Sequence, residues 1–143
     1  MVEFGHAYVD SSVVVRRTLN QPGALRDVQL SYAVASELVV VEILRTLDRM
    51  RPAGGVPVTE LARLRGVAET ALAELNLIPL GPAILKRAGG AFPTPLGSLD
   101  SLHLSTALLW FEVTGNPLTF LTHDRQLAAA ARACGLAVYP EPV

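Results

Sequence analysis

The chain has 143 residues, half of them hydrophobic, which suits one domain with a real core. Its apolar runs are short and broken, so no span of roughly 18 apolar residues is available to cross a membrane, and no signal peptide is expected at the N-terminus. The net charge of −1 argues against a passive, strongly basic nucleic-acid coat, and the lone Cys134 cannot form an internal disulfide, so a reducing, cytoplasmic setting is expected.

In chain order, Ala7-Tyr8-Val9 is an apolar run that predicts a first strand ending at Asp10. Ser12–Leu19 reads as a helix, stopped by the breaker cluster Asn20-Gln21-Pro22-Gly23. Ala24–Leu30 predicts a second short helix, and Tyr32–Ser36 a short strand. Glu37–Met50 is helical by period, with Val40, Ile43, Leu44 and Leu47 on one side. Arg51–Pro57, with two prolines and two glycines, reads as a loop. Val58–Glu74 is the next helix, Leu77–Leu80 a third strand and Pro82–Ala88 a short helix. After the Gly/Pro-rich loop Gly89–Gly97, Ser98 is the expected N-cap of a helix reaching about Val113. Gly115-Asn116-Pro117 ends it; then come a strand at Leu118–Thr122, an alanine-rich helix at Asp124–Cys134 and a last strand at Leu136–Tyr139. Strands that alternate with helices predict a three-layer α/β/α sandwich around a parallel sheet of four to five strands. Nothing marks a linker, so residues 1–143 are expected to form one domain.

The chemistry is expected among the acids. Asp10, Asp27, Asp48, Asp100 and Asp124 are all the aspartates of the chain. Asp10 and Asp124 each follow a predicted strand and open a helix, and Asp100 lies in the first turn of its own helix. In an open parallel sheet, ligands bind beyond the carboxyl ends of the strands, where strand order reverses. Helix capping alone explains an aspartate at each of these places. It does not explain Glu42, which interrupts the apolar stretch Val39-Val40-Val41-Glu42-Ile43-Leu44. A buried, unpaired carboxylate is expensive. Either Arg45, at i+3, pairs with it, or Glu42 faces a cation. Converging carboxylates repel one another and call for protonation or bound cations. Oxygen-only ligation suits Mg²⁺, with Mn²⁺ able to substitute.

Zinc fits poorly, because Cys134 is alone and His6, His103 and His123 lack a ligand spacing such as HExxH. The histidines read as surface or packing residues, although His103, at i+3 from Asp100, can orient that carboxylate or touch phosphate. There is no Walker loop, no GxGxxG and no GxSxG elbow. Phosphoryl transfer to Asp10 is disfavoured too, since a dehalogenase-like site wants an acid where Ser12 stands, and a receiver domain wants a lysine after a late strand, which the only lysine, Lys86, precedes.

Four segments resemble the acidic motifs of PIN domains: Tyr8-Val9-Asp10-Ser11-Ser12, Val41-Glu42-Ile43-Leu44-Arg45, Leu99-Asp100-Ser101-Leu102-His103-Leu104-Ser105-Thr106-Ala107, and Leu121-Thr122-His123-Asp124-Arg125-Gln126-Leu127. Their order and the small size are most similar to VapC-type ribonuclease toxins of toxin–antitoxin pairs. The resemblance implies that Asp10, Glu42, Asp100 and Asp124 form an acidic site for one or two Mg²⁺ ions, and that the activity is endonucleolytic cleavage of RNA. It further implies a homodimer and a cognate antitoxin that blocks the site. Ser12 matches a small polar position that supports such a site, and Thr122 lies in the fourth motif. Arg45 and Arg125 are candidate phosphate contacts, each equally readable as a solvated or paired charge. The non-enzymatic alternative is a silent PIN-like module that holds a partner protein. The apolar faces of Val58–Leu75 and Glu37–Met50 offer a groove for an amphipathic partner segment, or are simply core.

Overall fold

The computed structural model describes residues 2–25, 28–53 and 55–140. Strand β1 (Val2–Val9) leads through Asp10 into helix α1 (Ser11–Thr18), followed by β2 (Val28–Ser36), α2 (Leu38–Ala53) and α3 (Val58–Ala73). Then come β3 (Asn76–Ile78), α4 (Pro82–Ala88), α5 (Ser98–Thr114), β4 (Thr119–Leu121), α6 (Arg125–Ala133) and β5 (Ala137–Tyr139). The five strands are all parallel, in the order β3-β2-β1-β4-β5. From β1 the chain first builds outward through β2 and β3, then returns to the other side of β1 for β4 and β5. Strand order therefore reverses between β1 and β4, and the crevice of an open α/β sheet opens at that point.

Period-two alternation sorts β1 between two cores. Ala7 and Val9 face one way and pack with Val13 and Val14 of α1, Val39, Ile43 and Leu47 of α2, and Leu64 and Ala68 of α3. Tyr8 faces the other way, with Phe120 of β4, Leu104, Ala107 and Leu108 of α5, and Leu127, Ala130 and Ala131 of α6. Helices thus cover both faces of the sheet. Each large apolar side chain buried this way contributes about 1.5–3 kcal/mol. Gly115 at the end of α5 takes the left-handed conformation (φ 71°) and donates its N–H to the Phe111 carbonyl, which turns the chain towards β4. Gly135 (φ 91°) does the same after α6. Among the described residues, no helix is long and apolar enough to cross a membrane.

Several boundaries differ from those read in the sequence. The expected helix at Ala24–Leu30 is not formed: β2 starts at Val28, Ala24 and Leu25 are not helical, and Arg26 and Asp27 lie outside the described residues. Two non-local forces win over local propensity. Val28, Gln29 and Leu30 pair with Val2, Glu3 and Phe4 of β1, which itself starts five residues before Ala7. The Arg17 guanidinium also donates to the carbonyls of Leu25 and Val28. Helix α2 runs through Ala53, so the loop expected from Arg51 starts later. The N-cap of α5 is Gly97 rather than Ser98, with no side-chain capping bond, because the Ser98 carbonyl is already inside the helix and accepts from the Ser101 hydroxyl.

Candidate functional site

The register of β1 on β4 pairs Val9 with Leu121, and the Asp10 N–H extends the ladder by donating to the Leu121 carbonyl at 3.2 Å. Asp10 is then the N-cap of α1, and Thr122 is the first residue past β4. The two meet side by side. Asp10 Oδ1 accepts from the Ser12 amide at 3.0 Å and from the Ser12 hydroxyl at 2.5 Å. Asp10 Oδ2 accepts from the Thr122 hydroxyl at 2.6 Å. Each hydroxyl also accepts from the turn after β4: His123 N–H donates to Ser12 Oγ at 2.9 Å, and Asp124 N–H to Thr122 Oγ1 at 3.0 Å. Ser12 and Thr122 thereby fasten the turn carrying Asp124 to the carboxylate of Asp10. Asp10 is only 4% exposed. Burial pushes its carboxyl above the ordinary aspartate range, and the bonds from Ser12 and Thr122 act against that rise.

Asp124 caps α6, its Oδ1 accepting from Leu127 N–H at 2.9 Å. Both aspartates are therefore real helix caps, and capping does not remove them from the crevice. Asp100 lies in the first turn of α5, half-buried. Its carboxyl is pushed up first by burial, then by the charges of Asp124 and Asp10, and less by that of Glu42. The structure thus gathers all four acids at the carboxyl end of the sheet, close enough for each of the other three to act on Asp100.

Glu42, on α2, is not paired with Arg45. Arg45 is exposed and reaches Asp48 at 2.9 Å, and Asp48 also takes Arg51. Glu42 instead accepts from the Ser11 hydroxyl at 3.2 Å through Oε2, and its Oε1 lies 2.5 Å from His103 Nε2. His103 is 1% exposed, and its Nδ1 lies 2.7 Å from the hydroxyl of buried Tyr8. That hydroxyl accepts from Ser36 N–H at 3.1 Å. A ring bonded at both nitrogens and closed to solvent neither orients Asp100 nor touches a phosphate, so both expectations for His103 are corrected. His6 packs against Tyr32 and Trp110, as a packing histidine should. Arg125, the first residue of α6, is exposed.

The sequence reading missed Tyr8, Ser11 and Ser36. A tyrosine in an apolar strand was the available signal, since its hydroxyl needs a partner once buried. Among the described residues, no three histidine, cysteine, aspartate or glutamate side chains already surround one point closely enough to hold a metal ion. Asp10 is bonded to Ser12 and Thr122, Asp124 to its own helix, and Glu42 to Ser11 and His103. Mg²⁺ keeps several waters and needs only one or two direct carboxylates, so the oxygen-only donor set still suits it.

A family model described as PIN domain matches residues 7–133, which include all four acids. The chain is 34% identical to Ribonuclease VapC46 of Mycobacterium tuberculosis over 136 residues, 92% of this chain and 94% of that protein. It is 35% identical to Ribonuclease VapC35 of the same organism over 107 residues, 73% of this chain and 70% of that protein. The crystal structure of PAE2754 from Pyrobaculum aerophilum superposes with a TM-score of 0.61 at 17% identity, covering 93% of this chain and 82% of that one, which is a likeness of fold.

Proposed function

The chain belongs to the PIN-domain family, and on that premise we propose that it is a Mg²⁺-dependent endoribonuclease, the toxin of a toxin–antitoxin pair, acting from a site formed by Asp10, Glu42, Asp100 and Asp124. The observation that carries this reading is the PIN-domain match over residues 7–133, which takes in all four acids. Burial first, and then the charges of Asp124, Asp10 and, least, Glu42, raise the Asp100 carboxyl, while Arg45, three residues from Glu42, pairs with Asp48 instead. A divalent cation relieves that repulsion, and all-oxygen ligands are the set Mg²⁺ or Mn²⁺ prefers.

When bound, the ion supplies positive charge for a scissile phosphate and lowers the pKa of water. The protein's own part is positioning. Ser12 and Thr122 orient the Asp10 carboxylate, and the same two hydroxyls set the turn that carries Asp124. Ser11 and His103 hold Glu42. Asp100, in the first turn of α5, is the proposed fourth acid. Arg125, exposed on α6, is the proposed phosphate contact, whereas Arg45 is engaged elsewhere. The proposed partners are an RNA substrate, a second copy of the chain and a cognate antitoxin, met in the cytoplasm by one domain spanning residues 1–143. The groove between α2 and α3, lined by Leu44, Leu47, Val58 and Leu61, suits an amphipathic antitoxin segment.

Cleavage of a mixed RNA pool by the purified protein, with Mg²⁺ or with EDTA, beside Asp10→Asn, tests the reading. Cleavage that requires both the metal and Asp10 supports it; full activity of Asp10→Asn overturns the site. A second reading, a silent module that holds a partner protein, draws on the absence of a preformed metal cage among the described residues. Calorimetric titration with Mn²⁺ separates the two, because a silent module need not show uptake that depends on the acids.

A further inference from the structure

We propose that His103 is a positioning residue of the metal site, held by Tyr8 so that its Nε2–H fixes the carboxylate of Glu42. The inference rests on the reading of Glu42 as an acid of that site.

The geometry runs inward from the backbone. Ser36 N–H donates to the Tyr8 oxygen at 3.1 Å, so the phenol's own proton is left to point elsewhere. Its neighbour is His103 Nδ1 at 2.7 Å, which accepts. A ring that accepts the phenol's proton at Nδ1 carries its own on Nε2, and Nε2 stands 2.5 Å from Glu42 Oε1. Three side chains from β1, α5 and α2 are thus linked in one direction, starting from an N–H of β2. The donor to Glu42 is selected by a tyrosine 95 residues away from the histidine in sequence.

Packing alone does not account for this arrangement. Tyr8 is 0% and His103 1% exposed, and a leucine or phenylalanine would fill such a site without polar groups to satisfy. Here every polar atom of the ring is used, and its outer nitrogen ends on an acid of the crevice. Groups that orient metal-binding side chains commonly change metal affinity by about 10–100-fold when removed. Because Ser11 reaches only Oε2, loss of His103 leaves Oε1 without its partner.

Mn²⁺ titration of the full chain tests the proposal, with wild type, His103→Leu, His103→Gln, Tyr8→Phe and Glu42→Gln compared after a thermal melt has shown each to be folded. His103→Leu is expected to bind Mn²⁺ about 10–100-fold more weakly. His103→Gln, whose amide can donate from near the Nε2 position, is expected to recover most of that loss, which a role in packing alone would not predict. Wild-type affinity in a folded His103→Leu, or a glutamine variant as weak as the leucine one, overturns the inference. Should the leucine variant fail to fold, Tyr8→Phe decides: weakened binding supports the relay, and unchanged binding overturns it. Unchanged binding by Glu42→Gln instead removes Glu42 from the site, a failure of the underlying reading distinguishable from failure of the His103 role alone. Long-range ¹⁵N–¹H spectra supply an independent check, since a His103 that carries a proton on Nδ1 contradicts the relay.

Discussion

Replacing Thr122 by valine removes one oxygen and keeps the shape of the side chain, so the cost is almost purely that of two hydrogen bonds. The first runs from Thr122 Oγ1 to Asp10 Oδ2 at 2.6 Å, between groups that are both nearly closed to water. Hydrogen bonds to charged groups contribute about 1.5–3 kcal/mol. The second, from Asp124 N–H, lies at an exposed helix start where water can replace the lost acceptor, and adds little. The expected loss in metal-free protein at neutral pH is therefore about 1.5–3 kcal/mol, or about 5–10 °C in Tm for a domain of this size. The loss should also depend on pH. Thr122 favours the ionised form of Asp10 and lowers its folded pKa; valine lets that pKa rise further while the unfolded value stays the same. The deficit is fully present above the folded pKa of the variant and shrinks as the pH falls through the two folded values. Thermal melts in EDTA at pH 7.5 and pH 4 measure it. Equal deficits at both pH values, or a loss below about 0.5 kcal/mol at pH 7.5, would refute a bond to ionised Asp10.

Asp100→Asn should make the metal-free protein more stable at neutral pH, because a folded pKa raised by burial and by Asp124 and Asp10 means the ionised form is disfavoured in the fold. That gain should fade as the pH falls below the folded pKa, where wild-type Asp100 is already protonated; a lower Tm at neutral pH would contradict it. The same variant should gain less Tm than wild type on addition of Mn²⁺, read in paired melts. Phe120→Ala should cost about 3–5 kcal/mol in urea unfolding, since the ring is 0% exposed and stacks on Tyr8 at 5.0 Å. Arg45→Ala should stay within about 0.5 kcal/mol of wild type, because its pair with Asp48 is exposed and Asp48 keeps Arg51.

Some of this was legible in the chain itself. The alternation of short apolar runs with amphipathic stretches is a local property, and it sufficed for a parallel sheet between two helical layers. Aspartate after a strand and before a helix is also a local signal, and Asp10 and Asp124 lie there in the structure as caps at the strand ends. Glu42 stood out because a carboxylate among valines must have a reason. What answers it was out of reach, since His103 is 61 residues away and is itself set by Tyr8 from another strand. The short helix expected at Ala24–Leu30 went wrong for the same cause. Seven residues carry too weak a helical preference to resist a strand partner at Val2–Phe4 and a guanidinium from α1. Periodicity and capping act within a few residues along the chain, whereas strand pairing and the partners of buried polar groups are settled only once distant segments have packed together.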